Sequence, residues 1–183
     1  MDPFVIITVP HCQCDFSDSI RNCDRVARYS ASLLFDKIPY ERVIFFSDIP
    51  RAQIDLNRYP SRSTSFRRRI SDLFFQLARD NRTSNVLLLD IHSFDENHFG
   101  PVELAILDEK PGNSSYVSRF HSCLIREGVV TSRFIGDHND ILQEARSYSI
   151  PSVLLEFNED LTPSRIDEIT SIVVKCLDTL FES

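Results

Sequence analysis

Three largely apolar runs mark the chain, and each leads into a side chain able to do chemistry. The runs and the residues after them are Phe4–Val9 with His11, Val86–Ile91 with His92, and Ser152–Leu155 with Glu156. Apolar runs without polar alternation are typical of strands covered on both faces of a sheet. In open α/β sheets, ligands bind at the carboxyl edge of such strands. We therefore expect the two imidazoles and the carboxylate to meet at one rim.

Between these strands, the spacing of apolar residues is helical in some stretches and strand-like in others. Further strands are predicted at 42–46, 102–107 and 129–134, and helices from Asn22 or Asp24 to Asp36, at 65–81, 115–127 and 139–148, and after the Thr162-Pro163 cap. Strands that alternate with helices predict an α/β fold, three-layer α/β/α, with a mainly parallel or mixed central sheet. The length of 183 residues fits one domain spanning 1–183.

Composition narrows the classes of function. The net charge of -7 argues against general affinity for nucleic acid or an anionic membrane. No apolar run approaches the roughly 20 residues of a membrane span. The five cysteines do not suggest a disulfide framework, and the N-terminus shows no secretory signal. We therefore expect a cytoplasmic protein, since a reducing compartment keeps thiols unpaired.

One basic cluster, Arg67-Arg68-Arg69 with Arg62 nearby, interrupts this acidic composition within a predicted helix. It fits either a solvated helix face or a surface that guides anionic substrates.

The two histidines and the glutamate suggest metal-assisted hydrolysis. Neutral imidazole and carboxylate suit Zn²⁺, and a catalytic zinc keeps three protein ligands plus a water. A nearby carboxylate can take the proton of that water and pass it to a leaving nitrogen. We predict that His11 and His92 are metal ligands and that Glu156 is the general base. Asp90, two positions before His92, points to the same side of a strand and is expected to accept the second ring N–H.

A polar loop at 47–63 supplies groups that such a site needs, because it contains the run Arg51-Ala-Gln-Ile-Asp-Leu-Asn-Arg58. Arg58 can hold a substrate carboxylate by two parallel hydrogen bonds, and Asn57 can add to them. Arg51 can stabilise the oxyanion formed when water attacks a carbonyl. Asp55 is expected to brace the arginines.

Five segments together resemble the N-formylglutamate amidohydrolase family in order and approximate spacing. They are Val9-Pro10-His11, Cys23-Asp24-Arg25-Val26, the run 51–58, Leu89-Asp90-Ile91-His92-Ser93 and Pro151-Ser152-Val153-Leu154-Leu155-Glu156. That family is similar to the zinc carboxypeptidases and to the aspartoacylase and succinylglutamate desuccinylase group. The resemblance implies a phosphorylase/hydrolase-like fold of the zinc carboxypeptidase type. It also implies the roles stated above for His11, His92, Glu156, Asn57, Arg58 and Arg51.

The third metal ligand is open among three residues. Asp24 fits the resemblance, because family members carry an acid at the start of the first helix. Cys14 stands three positions after His11, where the carboxypeptidase His-x-x-Glu pattern has its glutamate, and Asp15 follows it. A thiolate ligand would make the metal less Lewis-acidic.

The predicted activity is zinc-dependent cleavage of an amide bond in an N-acyl amino acid or small peptide-like substrate with a free carboxylate. A second hypothesis is a catalytically inactive relative that binds a metal or carboxylate in a regulatory role. It arises because the family usually has Ser-Gly or Ala-Gly after the first histidine, whereas this chain has Cys12-Gln13. Cys12 also permits a third interpretation, a cysteine nucleophile.

Ser93 is expected to form a hydrogen bond in a turn. His98, His121 and His138 are expected to lie on the surface or in loops.

Overall fold

A computed structural model describes residues 2–13, 23–108, 115–135 and 139–181. Within these residues the strands β1 to β6 are Phe4–Val9, Glu41–Phe46, Val86–Phe94, Leu104–Asp108, Thr131–Ile135 and Ser152–Asn158. The α-helices α1 to α7 are Ala27–Lys37, Ser65–Arg79, Glu96–Phe99, Ser115–Arg126, Asp140–Ser147, Pro163–Cys176 and Asp178–Phe181. Short 3-10 helices lie at Tyr59–Ser63 and Thr83–Asn85.

The six strands form one mixed sheet in the order β2-β1-β3-β6-β4-β5. Strands β2, β1, β3 and β6 are parallel to one another, whereas β4 is antiparallel to β6 and parallel to β5. The carboxyl ends of β1, β3 and β6 therefore lie side by side at one edge of the sheet. The predicted strands are all present, and the predicted fold class is confirmed.

Helices cover both faces of the sheet, because successive side chains of a strand point to opposite faces. One core joins the odd-numbered side chains of β1 and β3 to α1, α4 and α6, for example Val5, Ile7, Leu89, Leu34, Phe120 and Val173. The other joins the even-numbered side chains to α2 and α5, for example Ile6, Leu88, Ile70, Phe74 and Ile141. This double coverage explains the absence of polar alternation in the central strands.

Side-chain caps open three of the helices. Thr162 accepts a hydrogen bond from Arg165 N at the start of α6, where Pro163 occupies the first turn, as predicted. Thr64 opens α2 in the same way. Asn139 opens α5 by accepting from the backbone N–H groups of Ile141 and Leu142.

Two differences from the predicted boundaries affect the site. β3 continues to Phe94, so His92 lies inside the strand and not just after it. α1 begins at Ala27 without a side-chain cap, so Asp24 does not open it. The carboxylate of Asp24 is instead buried in the candidate site.

The cysteine prediction is wrong. Cys123 of α4 and Cys176 of α6 form a disulfide, and Cys23 is also disulfide-bonded. The helices that carry Cys123 and Cys176 pack on the same face of the sheet, a long-range proximity that cysteine spacing does not encode. Cys12 is a buried thiol. Over the described parts of the chain, none of the helices has the length and apolar character needed to cross a bilayer.

The basic cluster divides into two environments, and the prediction of a solvated or substrate-guiding face is wrong for Arg67. Its guanidinium is fully buried and donates to Asp140 and Glu144 of α5 and to the backbone oxygen of Leu56. Arg62 makes a two-pronged contact with the same Asp140, both distances being 2.8 Å. Helical spacing does not distinguish an arginine that pairs across the fold from one that faces water.

Candidate metal centre and hydrolase site

A cavity of about 730 Å³ opens at the carboxyl edge of β1, β3 and β6. All seven residues predicted for the site line it: His11, Asp24, Arg51, Asn57, Arg58, His92 and Glu156. Segments that are far apart in sequence thus converge at one place, as the parallel strand order requires. Two ligand alternatives, Cys14 and Asp15, lie outside the described residues.

Two imidazoles and one carboxylate form the centre of the site. The side chains of His11, Asp24 and His92 are all buried, and each offers a ligand atom within 4.8 Å of the others. The Oδ2 atom of Asp24 lies 2.7 Å from Nδ1 of His92 and 3.5 Å from Nδ1 of His11. The two histidines therefore present the same ring nitrogen toward one carboxylate.

His11 is fixed by contacts at both ends. Its backbone oxygen accepts a hydrogen bond from Asp24 N at 3.1 Å, which ties the segment after β1 to the segment before α1. Its Nε2 lies 3.0 Å from Oδ1 of Asp55. Its Nδ1 is buried and makes no hydrogen bond within the described parts of the chain. A buried polar nitrogen of this kind is expected to have a partner, such as an ion.

His92 is fixed by a buried carboxylate behind it. Oδ2 of Asp90 lies 3.2 Å from Nε2 of His92, which is the contact expected from their two-residue spacing. Asp90 is fully buried and also accepts hydrogen bonds from Thr8 Oγ1 at 2.6 Å and Asn139 Nδ2 at 2.7 Å. The sequence did not identify Asn139 or Thr8, because nothing local indicates that a helix cap or a strand threonine reaches a distant carboxylate.

Asn57 joins the loop to the same imidazole. Its Nδ2 lies 2.9 Å from Nε2 of His92, and its Oδ1 is buried without a hydrogen-bond partner among the described residues. If Nε2 carries the proton that Asp90 accepts, the amide atom of Asn57 next to Nε2 must be the acceptor Oδ1, and Nδ2 takes the other position. The amide N–H groups are then available for an acceptor in the cavity.

Charge is strongly coupled within this centre. Burial opposes ionisation of Asp24, but the neighbouring His92 and His11 outweigh it and hold the pKa of Asp24 well below its usual value. Burial likewise opposes the charged form of His92, yet Asp90 and Asp24 raise its pKa well above 6.5. The pocket thus stabilises positive charge between the carboxylates, whether a proton or a cation supplies it.

Glu156 faces this centre from the neighbouring strand. It is the register partner of His92 across the β3–β6 ladder, so the two side chains lie on the same face of the sheet. Burial raises the pKa of Glu156 to about 8, and the charges of Asp24 and Asp90 act in the same direction against His92 and Arg51. A carboxylate with this pKa is well matched to proton transfer near neutral pH.

Asp55 anchors the arginine loop, as expected, and holds His11 in addition. Its Oδ2 lies 3.5 Å from Arg51 Nη2 and 3.7 Å from Arg58 Nε. Burial opposes its ionisation, but the hydrogen bond and charge of His11 outweigh it, so the pKa of Asp55 is lowered. One carboxylate thereby places both arginines next to the histidine centre.

Two hydrogen bonds from α2 and α5 hold the backbone of the arginine loop in place. Arg67 donates to Leu56 O at 2.9 Å, and the backbone oxygen of Asn57 accepts from Asp140 N, also at 2.9 Å. These bonds fix the two backbone carbonyls that immediately precede Arg58. The buried arginine of the basic cluster is therefore part of the support of the site.

The remaining candidates have other contacts. The Cys12 thiol lies 3.5 Å from the backbone oxygen of Ser47, and burial raises its pKa, which does not favour a nucleophilic thiolate. Ser93 lies inside β3 and donates to Oε1 of Glu159 at 2.6 Å, and Glu159 belongs to the turn that follows β6. His98 is exposed in α3 and lines the cavity, and His121 lies in α4. His138 lies outside the described residues.

The three central residues fit a zinc ion. Zinc is bound in proteins by imidazole nitrogen and carboxylate oxygen, and its histidine ligands commonly donate their second ring N–H to a carboxylate. Both Nε2 atoms here lie beside a carboxylate, and both Nδ1 atoms face Asp24. The otherwise unbonded Nδ1 of His11 would gain a partner from the ion.

Comparisons with known proteins bear on the fold. No family model and no curated protein matches the chain. A solved gene product of Agrobacterium tumefaciens is similar, with a TM-score of 0.73 and 16% identity over 98% of this chain and 90% of that one.

Two further solved structures are similar over most of this chain. The succinylglutamate desuccinylase of Chromobacterium violaceum has a TM-score of 0.58 and 11% identity, covering 94% of this chain and 62% of that chain. The product-bound cell shape determinant protein Csd4 of Helicobacter pylori has a TM-score of 0.60 and 11% identity, covering 96% of this chain and 50% of that chain. Identities this low establish a shared fold, and the resemblance to N-formylglutamate amidohydrolases stays a prediction.

Proposed function

We propose that this protein is a zinc-dependent hydrolase that cleaves the amide bond of an N-acyl amino acid, or of a small peptide-like substrate with a free carboxylate. The observation that carries the proposal is the convergence of His11, Asp24 and His92 within one cavity, with Glu156 in register beside them. A solved structure with this fold is a succinylglutamate desuccinylase. Its fold is compatible with the same kind of chemistry.

His11, Asp24 and His92 would hold the ion. When bound, zinc would polarise the scissile carbonyl and lower the pKa of a water molecule. Asp55 and Asp90 keep the two imidazoles oriented by holding their Nε2 atoms. This leaves Nδ1 of each histidine as the ligand atom.

Glu156 would act as the proton carrier. It takes a proton from the attacking water and delivers it to the leaving nitrogen, so the amide C–N bond breaks while a new C–O bond forms. Its partly buried position beside His92 suits both steps, since the carboxyl group can hold the proton between them.

The arginine loop would bind the substrate and stabilise the oxyanion. Arg58 and the amide of Asn57 hold the substrate carboxylate, and Arg51 hydrogen-bonds the carbonyl oxygen as it becomes negative. Both guanidinium groups are partly exposed to the cavity and are oriented by Asp55, so they are available to a substrate.

The experiment is a turnover assay on a panel of N-acyl amino acids, in which the released amine is measured. Chelation should abolish turnover, and added Zn²⁺ should restore it. Glu156→Gln should lower kcat by about 10³-fold or more with the zinc content unchanged. Glu168→Gln, which changes an exposed acid of α6, is the matched control and should keep full activity.

Full turnover in a rigorously metal-free preparation would contradict the proposal. Stoichiometric zinc without turnover on the whole panel would instead favour the inactive, metal-binding relative.

A further inference from the structure

The cavity has an apolar half that the reaction does not use. Part of its wall is built from side chains that stand two positions from His92 or Glu156 along a strand, so they share the same face of the sheet. Phe94 lies two residues after His92 on β3, and Leu154 two residues before Glu156 on β6. Both line the cavity together with Leu107 and Phe99.

Aromatic contacts make this half a continuous surface. The ring of Phe99 lies 5.0 Å from that of Phe94 and 4.6 Å from that of Phe134, measured between ring centroids. Leu107 is the register partner of Leu154 on one side and of Phe134 on the other. Apolar packing therefore connects the cavity wall on β3, β6 and β4 to Phe134 of β5.

The two arginines and the β4 end of the apolar half lie on opposite sides of the metal centre. The strand order places β1 with His11, then β3 with His92, then β6 with Glu156, and then β4 with Leu107. The arginines lie at the β1 end, because both contact the carboxylate that holds His11. Three strand spacings of about 4.8 Å give roughly 14 Å from β1 to β4, a distance that a medium-sized acyl amino acid can span.

Permanent positive charge is confined to one end. Among the cavity-lining residues that the structure describes, Arg51 and Arg58 are the arginines, and lysine is absent. Asp95 and His98 also line the cavity, on the segment that carries Phe99, and neither carries a permanent positive charge. Among the described residues, the apolar half therefore offers no permanent positive charge to compensate the desolvation of a second carboxylate.

We propose that the apolar half, formed by Phe94, Phe99, Leu107 and Leu154, binds the acyl part of the substrate, and that the enzyme selects N-acyl amino acids with a large uncharged acyl group. This inference rests on the proposed function. With the substrate carboxylate on the arginines and the scissile amide at the metal centre, the group beyond the carbonyl extends toward β4. A formyl group would leave this surface empty, and a succinyl group would bury a charge against it.

The expected dependence on acyl length follows from apolar burial. Each methylene group removed from water contributes a factor of about three to four in binding, until the surface is filled. A carboxylate at the end of the same chain should reverse the gain.

The experiment measures binding and turnover of N-acylglycines, since glycine has no side chain to compete for the apolar half. The probes are N-formyl-, N-acetyl-, N-butyryl-, N-hexanoyl- and N-benzoylglycine, with N-succinylglycine as the charged analogue of the butyryl compound. Binding to the zinc-supplied full chain is measured by calorimetry, so it does not require turnover. Affinity should rise along the uncharged series, and N-butyrylglycine should bind at least about tenfold more tightly than N-succinylglycine.

Two variants test whether the apolar half causes the dependence of binding on acyl length. Phe99→Ala should flatten the dependence on acyl length while N-formylglycine binds as before, and Leu107→Gln should do the same from the β4 side. Phe75→Ala is the control, because it removes a ring that is 58% exposed on α2. This control should keep the wild-type slope.

A flat series, or succinyl binding equal to butyryl, would overturn the inference. So would N-acetylphenylalanine gaining affinity where the acylglycines do not, because the apolar half would then hold the amino-acid side chain. Absence of binding by every acylglycine would also overturn it. The proposed function is judged separately, by chelator-sensitive turnover on any amide of the panel.

Discussion

His92 and Glu156 are register partners on the adjacent parallel strands β3 and β6. The pairing places a candidate metal ligand and a candidate general base side by side on one face of the sheet. It also places the partly buried Glu156 near the carboxylates Asp24 and Asp90. Burial is the largest cause of the raised pKa of Glu156, which lies at about 8.

This pKa predicts a pH-dependent stability in the metal-free protein. The ordinary pKa is 4.5. Between that value and about 8 the folded protein retains a proton that the unfolded chain has released, so Glu156 makes the free energy of unfolding fall as pH rises. Glu156→Gln removes this contribution to the pH dependence. The variant should therefore become progressively more stable than wild type from pH 5 to pH 8 in the presence of chelator.

Denaturant unfolding at several pH values measures the difference. A stability difference between the two proteins that does not change with pH would show that Glu156 titrates normally.

The third metal ligand can be tested by two matched variants. Asp24→Asn should weaken zinc binding by at least about 100-fold, since loss of an outer carboxylate partner alone costs 10- to 100-fold. Asp15→Asn should leave zinc affinity within a few-fold of wild type. Competition with a chromophoric chelator measures both. A large loss in Asp15→Asn with none in Asp24→Asn would move the ligand to Asp15.

The two loop arginines should affect different kinetic constants. Arg58→Ala removes a contact made equally in the ground state and the transition state, so KM should rise about tenfold or more with a smaller change in kcat. Arg51→Ala removes a donor to the developing oxyanion, so kcat should fall by about 10² to 10³-fold. Steady-state kinetics on one N-acyl amino acid separates these effects. Unchanged KM in Arg58→Ala would remove that residue from the carboxylate site.

Glu159 is expected to position Asp24. Its Oε1 accepts hydrogen bonds from Arg25 N at 2.7 Å and from Ser93 Oγ at 2.6 Å, which joins the neighbours of Asp24 and His92 in sequence. Glu159→Ala should weaken zinc binding by about tenfold. Glu159→Gln, which keeps the acceptor oxygen, should recover most of the loss.

Asp160→Ala changes the adjacent exposed acid and serves as the control for Glu159. Zinc titration with unfolding measured in parallel distinguishes positioning from stability. Equal zinc affinity in Glu159→Ala and wild type would show that the two hydrogen bonds do not set the ligand geometry.

Arg67 is expected to be a large contributor to stability. Arg67→Ala leaves Asp140 and Glu144 without their buried partner and Leu56 O without its donor, so the free energy of unfolding should fall by about 3 kcal/mol or more. Arg68→Ala, at the neighbouring exposed position, should change it by less than about 0.5 kcal/mol. Chemical denaturation of both variants gives the comparison. Equal effects would show that the buried network contributes little.

The sequence predicted the central strands and the convergence of the site because apolar runs report burial on both faces, and parallel strands share a carboxyl edge. The contact between Asp90 and His92 followed from the same two-residue period. The position of His92 within β3 was not predicted, because the polar side chains after Leu89 indicated a strand that ends at Ile91. Only the layer packing reveals that polar side chains can remain in a strand where it borders a cavity.

Other features depended on contacts between distant segments. The Cys123–Cys176 disulfide needs two helices on the same face, and the burial of Arg67 needs the acids of α5 opposite α2. Asn139 caps a helix locally and reaches Asp90 only through the fold. No local pattern carries such information.

The central claim is that His11, Asp24 and His92 hold one zinc ion, and zinc titration of the full chain combined with X-ray absorption tests it most directly. We expect one Zn²⁺ per chain, with two imidazole nitrogens and a carboxylate oxygen at bonding distance, and loss of that site in both His11→Ala and His92→Ala. Absence of stoichiometric binding by the wild-type protein, or equally tight binding by both variants, would contradict the account.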